Sequence, residues 1–335
     1  MRSAKTIRLL KQLTEADSPS GREGEVSDIV VREAGKLGYE VRTDAMGSVI
    51  AHKPGNGARL MFDAHMDEIG IIASFADENG FIRFGAVGGL STRELAKRRV
   101  RFLNGTAGVI GSEEEEFNKK PQLSKLYIDI GAKDKASAEK MVKTGDMAVF
   151  DGSFYSNDEI VISKALDDRA GCCILLRAME TAVKSENDLY FVFSTQEEVG
   201  LRGAKTAAFS IMPDYAVAID VTDTGDTPSC PPMDVRLGEG AAVKLMDRSV
   251  MCDVNVIRIL TETAEREGIR YQREIMADGG TDAGAIALTG AGVRAGAISL
   301  PVRYIHSPSE LAAISDIEDC IKLTAAVCMA DWRKI

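Results

Sequence analysis

The sequence lacks any apolar run that approaches the roughly 18 residues needed to cross a bilayer. Its N-terminal stretch, Met1 to Thr14, is a charged helical pattern without the apolar core of a signal peptide. No internal repeat or low-complexity tract is visible. These absences argue against a membrane protein, a secreted protein and a repeat architecture. We therefore expect a cytoplasmic location and no membrane partner.

Cysteine pairs of the C-x-x-C type are also missing. None of the six cysteines has the spacing of a zinc-thiolate site, and none has a histidine in an accompanying motif. We interpret them as reduced thiols that mostly pack in the interior. The six are Cys172, Cys173, Cys230, Cys252, Cys320 and Cys328.

Positive charge is in short supply, because 41 Lys and Arg residues stand against 51 Asp and Glu residues. The formal net charge is -10 and the pI is near 5.1. An acidic surface repels phosphate backbones and is not drawn to anionic lipid, so nucleic acid is not an expected partner. The hydrophobic content of 45% is typical of a globular protein. A length of 335 residues predicts one large or two medium domains.

Two patterns divide the chain. Residues 1–69 and 163–335 alternate helical segments with apolar strands, and this alternation predicts an α/β sandwich with a mostly parallel sheet. Residues 70–162 instead carry short β-type runs separated by glycine, the last at Glu159 to Ile162. This change predicts a small β-rich domain that is inserted into the α/β domain.

Polar side chains collect at predicted strand ends, where open α/β sheets place their functional groups, and at the start of one helix. Imidazole combined with carboxylate favours zinc, cobalt, manganese or iron over calcium. The sequence therefore predicts a divalent metal site. Its five segments supply His65 and Asp67, Asp167 and Asp168, Glu197 and Glu198, Asp220, and His306.

Each segment alone has a simpler structural interpretation. The paired aspartates can cap the helix that follows them, and the paired glutamates can be a solvated strand end. A single histidine is more often structural than a metal ligand. Asp220 is harder to explain in this way, because a carboxylate at the end of an apolar strand needs a partner. The combination of all five segments favours the metal site.

Six motifs follow one another along the chain. They are Ala64-His-Met-Asp-Glu-Ile-Gly70, Lys164-Ala-Leu-Asp-Asp-Arg-Ala-Gly171, Thr195-Gln-Glu-Glu-Val-Gly-Leu-Arg-Gly-Ala204, Ala218-Ile-Asp-Val-Thr222, Gly279-Gly-Thr-Asp-Ala-Gly284 and Arg303-Tyr-Ile-His-Ser-Pro308. In this order they resemble the signature set of the tetrahedral (TET) aminopeptidases, which are dinuclear-metal exopeptidases with glutamyl, leucyl and lysyl members. The match covers essentially the whole chain, and six motifs in order are far more specific than any one of them.

The resemblance implies a catalytic α/β domain of residues 1–69 and 163–335, interrupted at residues 70–162 by a PDZ-like β-barrel domain used in dimerisation and assembly. It also implies a homododecamer built from dimers. Short peptides with a free N-terminus would be the substrates. Two divalent ions per subunit, zinc or cobalt, would activate the water that cleaves the peptide bond.

Carried over by position, the resemblance assigns one ion to His65, Asp167 and Asp220. It assigns the other ion to Asp167, Glu198 and His306. Asp167 would therefore bridge the two ions.

The same resemblance names two catalytic residues. Glu197 would be the general base, which must stay free of metal to keep its basicity. Asp67 would hydrogen-bond the far nitrogen of His65 and fix its tautomer. A cis peptide bond is expected between Asp167 and Asp168.

Other functions are open at this point. A metal-dependent N-deacylase or carboxypeptidase could use a similar site. An endoglucanase-type glycoside hydrolase needs only an Asp/Glu pair, with no histidine and no bridging aspartate. A non-catalytic relative would be expected to lose Glu197 or a ligand, and this chain keeps all of them. The motifs leave open the preferred N-terminal residue, the physiological metal, the choice between dimer and dodecamer, and the limit on peptide length.

Overall fold

The computed structural model describes the backbone of residues 2–334 and the side chains of residues 4–114 and 118–333. The helices in this part of the chain are α1 (Arg2–Glu15), α2 (Gly24–Lys36), α3 (Glu114–Lys119), α4 (Lys135–Met141), α5 (Leu166–Ala182), α6 (Arg202–Ile211), α7 (Val254–Glu267), α8 (Asp282–Ala287) and α9 (Ile314–Cys328). None of them has both the length and the apolar character needed to cross a bilayer.

The strands form one large sheet and one barrel. They are β1 (Glu40–Thr43), β2 (Val49–Lys53), β3 (Arg59–His65), β4 (Gly70–Ala76), β5 (Ile82–Val87), β6 (Arg99–Phe102), β7 (Ala107–Ser112), β8 (Leu126–Asp129), β9 (Met147–Phe150), β10 (Tyr155–Ser156), β11 (Ile160–Ser163), β12 (Asp188–Ser194), β13 (Tyr215–Thr222), β14 (Ala241–Met246), β15 (Tyr271–Ile275), β16 (Arg294–Arg303) and β17 (Glu310–Ala313).

The large sheet has a parallel centre. Its strand order is β1-β2-β12-β3-β13-β16-β17-β11-β10, with β14 paired to β16 and β15 paired to β14. Strands β12, β3, β13 and β16, which are adjacent in this order, are mutually parallel, and antiparallel strands flank them. All eight residues of β13 are buried, which is typical of a strand covered on both faces. The predicted α/β fold class is confirmed.

Helices cover both faces of this sheet because side chains alternate along its strands. On β3, Leu60, Phe62 and Ala64 enter a core shared with α1, α2, α5, α7 and α9. Met61 points the other way, into a smaller core shared with α6 and α8. The alternation produces a three-layer sandwich, and the parallel strands end at one common edge.

The inserted β-rich domain is also confirmed as a barrel. Strands β4-β5-β8-β7-β6-β9 close on one another through antiparallel pairs. Its interior is filled by a separate apolar core that includes Ile71, Phe84, Phe102 and Ile128.

The predicted inserted domain extends further than the barrel strands. These run from β4 to β9, which ends at Phe150. The run expected at Glu159 to Ile162 forms β11, which pairs with β17 of the large sheet rather than with the barrel. The domain limits at residues 69/70 and 162/163 stay a prediction.

Candidate metal centre

The candidate ligands meet where the parallel strands end. His65 is the last residue of β3 and lies opposite Ser194, the last residue of β12. Asp220 lies near the end of β13, the neighbour of β3 on the other side. Both side chains are almost completely buried. The carboxyl edge of the sheet thus holds an imidazole and a carboxylate away from bulk water.

Asp167 faces a histidine with each of its two carboxylate oxygens. Its Oδ1 lies 3.1 Å from Nε2 of His65, and its Oδ2 lies 3.2 Å from Nε2 of His306. The residue opens α5, and the peptide bond between Asp167 and Asp168 is cis, as predicted. This arrangement is the one expected of a carboxylate that bridges two ions.

Two further carboxylates complete the cluster. Oδ1 of Asp220 lies 3.9 Å from Nε2 of His65, and Oε1 of Glu198 lies 3.3 Å from Nε2 of His306. We call His65 and Asp220 the inner group, and Glu198 and His306 the outer group. Asp167 stands between them.

Asp168 was not predicted as a ligand, yet it reaches the inner group. Asp168, His65 and Asp220 offer ligand atoms that lie within 4.8 Å of one another. Both oxygens of Asp168 already accept backbone hydrogen bonds, from the N–H of His65 at 3.2 Å and of Gly171 at 3.0 Å. Its carboxylate therefore has less capacity for an ion than Asp167, whose oxygens face the imidazoles.

The electrostatics of the cluster fit a bound cation. Burial, with the nearby Asp167 charge, raises the pKa of Asp220 to about 7, and burial also raises the pKa of Glu198. Oε1 of Glu198 is buried and makes no hydrogen bond within the described residues. Burial lowers the pKa of His306, but the facing carboxylates of Asp167 and Glu198 outweigh it and raise that pKa to about 12. A nearby positive charge would therefore stabilise the ionised carboxylates, and the mixed donor set suits a divalent transition metal.

Glu197 is placed differently from its neighbour Glu198. Its carboxylate makes no ion pair or hydrogen bond with any described residue, and the residue as a whole is partly exposed. Burial raises its pKa well above the usual range, and the charges of Asp282, Asp220 and Glu198 add to that effect while His65 opposes it. An unpaired carboxylate with a raised pKa beside a ligand cluster is suited to accept a proton near neutral pH.

Asp67 contacts the cluster in an unforeseen way. Its carboxylate lies 3.6 Å from Nδ1 of His65, beyond hydrogen-bond length, while its main-chain oxygen lies 3.1 Å from that nitrogen. The carboxylate instead accepts the backbone N–H groups of Glu197 at 3.0 Å and Glu198 at 3.2 Å, and the hydroxyl of Ser20 at 2.6 Å. Asp67 therefore holds the glutamate loop in place.

Glu310 is a second residue that sequence reasoning missed. Its buried carboxylate accepts the backbone N–H of Asp167 at 3.0 Å and of His306 at 2.9 Å. It thereby ties the outer loop to the bridging residue. The one sequence signal was its position four residues after His306.

A buried pair of carboxyl groups lies beneath the strand ends. The Ser194 hydroxyl lies 3.0 Å from Asp63 and 2.7 Å from Asp282. Burial and the Asp282 charge raise the pKa of Asp63 well above its usual range, and burial also raises the pKa of Asp282. Asp282 belongs to the motif from Gly279 to Gly284 and Asp63 directly precedes the motif that begins at Ala64, and the sequence assigned neither residue a role.

Comparison with known proteins places this arrangement in a family. The sequence model of the M42 glutamyl aminopeptidase family matches residues 47–323 of this chain. A protein of Acetivibrio thermocellus that carries an aminopeptidase name is 49% identical over 96% of this chain and 98% of its own. The lysyl aminopeptidase of Pyrococcus furiosus is 31% identical over 95% of each chain. The glutamyl aminopeptidase of Lactococcus lactis is 32% identical over 92% of this chain and 91% of its own.

Solved structures agree with these relatives. An aminopeptidase from the archaeon Desulfurococcus kamchatkensis has a TM-score of 0.94 at 39% identity, covering 98% of this chain and 96% of its own. The TET1 peptidase of Pyrococcus horikoshii, which can assemble into a tetrahedron or a large octahedral shell, has a TM-score of 0.87 at 34% identity, covering 97% and 99%. A Thermotoga maritima protein named as an endoglucanase has a TM-score of 0.80 at 31% identity, covering 95% and 96%.

The fold and the clustered His and carboxylate side chains define a hydrolase of the aminopeptidase class. The chain belongs to the M42 glutamyl aminopeptidase family. The resemblance found in the sequence is thereby confirmed.

Proposed function

We propose that the enzyme removes N-terminal residues from short peptides with a free α-amine, and that it uses two divalent ions, zinc or cobalt, to do so. The observation that carries the proposal is the position of Asp167, whose two oxygens face His65 and His306 on opposite sides. A single-ion site would not need a carboxylate turned toward two imidazoles.

The ligand roles follow from the same geometry. His65 and Asp220 would hold the inner ion, Glu198 and His306 would hold the outer ion, and Asp167 would bridge them. Imidazole and carboxylate donors support zinc or cobalt, with manganese or iron as further possibilities.

When bound, the ions supply Lewis-acid activation of water and of the scissile carbonyl. Glu197 takes a proton from the attacking water and delivers it to the leaving amine, a role supported by its free carboxylate and raised pKa. Asp67 keeps Glu197 in position through the backbone N–H rather than through the side chain. The two neighbouring glutamates thus have different proposed roles, Glu198 as a ligand and Glu197 as the base, since Glu198 faces His306 and Glu197 does not.

We further propose that the barrel serves in dimerisation and that dimers assemble into a homododecamer. The support is the likeness to a peptidase that can assemble into a tetrahedron. Light scattering coupled to size-exclusion chromatography tests it, since a mass of twelve chains of 36.1 kDa differs clearly from that of two. The cytoplasmic location stays a prediction, and its support is that all described cysteines are free.

The decisive experiment measures hydrolysis of free-amine and N-acetylated aminoacyl anilides by protein that is first stripped with chelator and then given cobalt or zinc. We expect metal-restored cleavage of the free-amine substrates alone. Acidic, aliphatic and basic side chains belong in the panel, because the relatives include a glutamyl and a lysyl aminopeptidase. Cleavage of the acetylated substrates would favour an N-deacylase instead. Chelator-resistant cleavage of a β-glucan would favour the glycoside hydrolase.

A further inference from the structure

The barrel touches the candidate metal centre at one turn. Gly88 and Gly89 follow β5 and connect it to the next segment of the barrel. They are distant in sequence from the outer group, yet they lie directly against Glu198 and His306. The two outer side chains come from loops, so the barrel turn is a separate surface that backs them.

A side chain at either glycine would press on the outer group. A Cβ atom on Gly89 would lie 3.0 Å from Cε1 and 3.1 Å from Nδ1 of the His306 ring. A Cβ atom on Gly88 would lie 3.0 Å from Oε2 of Glu198 and 2.9 Å from Cγ2 of Ile69. The turn therefore lies against the His306 ring along its Nδ1–Cε1 edge, while Nε2 of the same ring faces Asp167.

A bidentate ion pair links the barrel to the catalytic domain, and Lys164 of the catalytic domain supports its acidic partner. Arg101 of β6 donates two hydrogen bonds to Asp17, at 2.8 and 2.9 Å. Lys164 lies 3.4 Å from the same Asp17 and donates to both oxygens of Glu68, at 2.8 and 2.7 Å. The bidentate contact fixes orientation as well as distance. The turn is therefore presented to the outer group by a firmly seated barrel.

We propose that the Gly88-Gly89 turn is a positioning wall for the outer metal ion: it limits the movement of the Glu198 and His306 side chains. The proposal rests on the two-ion function proposed above. It gives the inserted barrel a part in building the active site, in addition to any part in assembly. Because the wall touches the outer group only, its effect is confined to one of the two ions.

The first test adds a methyl group to the wall. Gly89→Ala should displace the His306 ring. The affinity for the outer Co²⁺ ion should then fall by about 10- to 100-fold, which is the usual cost of disturbing the support of a metal ligand. The inner ion should bind as in the parent. Gly85→Ala, in β5 shortly before the turn, is the matched control, since a Cβ atom there meets only Cγ2 of Ile72 on the neighbouring strand β4, at an ordinary 3.5 Å. Titration with Co²⁺, followed by its visible ligand-field absorption and by bound metal per subunit, measures both ions.

A second pair of variants separates the contact from backbone strain. Gly88 has φ +84° and Gly105, in another barrel turn, has φ +89°, so alanine is similarly strained at both. Nothing lies within 4 Å of a Cβ atom on Gly105. Gly88→Ala should lower the affinity for the outer ion and Gly105→Ala should not, and the metal-free unfolding temperature of each variant reports its cost in stability separately.

A double-mutant cycle gives the final criterion. If Gly89 acts through the imidazole, Gly89→Ala should have no further effect on Co²⁺ binding once His306→Ala is present. Suppose that Gly89→Ala binds the outer ion with parental affinity while His306→Ala loses that ion. This result would contradict the positioning wall but would leave the proposed function intact. A parent enzyme that binds a single ion would instead overturn the proposed function and the wall with it.

Discussion

The inner and outer groups of the candidate metal centre are built in different ways. His65 and Asp220 project from neighbouring parallel strands, and their side chains are 3% and 9% exposed. Glu198 and His306 project from loops, and the His306 side chain is 35% exposed. His306 also has a φ of 62°, in the left-handed region that non-glycine residues seldom adopt. One half of the site is thus part of the sheet, and the other half is carried by connections.

This difference shows where the protein must supply extra support. Sheet hydrogen bonds fix the strands that carry the inner residues, and the N–H of His65 also donates to Asp168. The outer residues depend on carboxylates that accept their backbone N–H groups: Asp67 for Glu198, and Glu310 for His306. We therefore expect changes outside the ligand set to affect the outer half more than the inner half.

The largest effect should come from a residue that belongs to neither half. Glu197→Gln keeps the shape of the side chain but removes the base, so turnover should fall by about 100- to 10,000-fold. Both ions should still bind, because Glu197 is proposed not to be a ligand. Steady-state kinetics on the best anilide substrate and metal analysis of the same sample measure the two quantities. Glu239→Gln, at an exposed glutamate, is the control, and parental turnover in Glu197→Gln would show that the base is another group.

Histidine variants compare the two halves directly. His65→Ala should lower the affinity for the inner ion by more than about 100-fold, since loss of a ligand costs more affinity than loss of the residue that supports it. His306→Ala should weaken the outer ion only. Co²⁺ titration of each variant gives the stoichiometry and the affinities. His52→Ala is the control, because His52 stacks on Tyr190 and pairs with Asp188 away from the cluster. Full occupancy in His65→Ala would exclude it as a ligand.

The sequence predicted the inner half more completely than the support of the outer half. Strand alternation placed His65 and Asp220 at strand ends, and the α/β class followed from the same pattern. Glu310 gave no comparable signal, because its role depends on how the loop returns it to two backbone N–H groups. Gly88 and Gly89 act across a domain contact, which no local pattern encodes. Strand β11 was grouped with the barrel runs for the same reason, since its partner β17 lies far along the chain.

A smaller effect is expected when the support of the outer half is weakened. Glu310→Gln keeps one oxygen but loses the negative charge that accepts the N–H groups of Asp167 and His306. The affinity of the outer ion should fall by about 10- to 100-fold, and the inner ion should change less. Competition with a colour-forming chelator measures both affinities. Glu159→Gln, at an exposed position, should match the parent. An equal loss at both ions would mean that Glu310 acts mainly through the bridge.

The smallest effect tests the strand that leads into the outer loop. Arg303 ends β16, three residues before His306, and donates two hydrogen bonds to Asp226, at 3.0 and 2.7 Å. Despite partial burial, the Arg303 hydrogen bonds lower the pKa of Asp226 to about 2, against about 3.9 in an unfolded chain. The stabilisation is therefore fully present above the unfolded value and is lost as pH falls through the folded value.

Asp226→Asn should accordingly lower the free energy of unfolding of the metal-free protein by about 2 kcal/mol at pH 7, and the deficit should fall to about half by pH 3. Urea unfolding at the two pH values measures it. Asp151→Asn is the comparison, because its partner Arg99 is 74% exposed and such surface pairs contribute about 0.5 kcal/mol or less. If the deficit of Asp226→Asn were the same at both pH values, the pair would act through packing rather than charge. The outer loop would then owe its support to Glu310, Asp67 and the barrel alone.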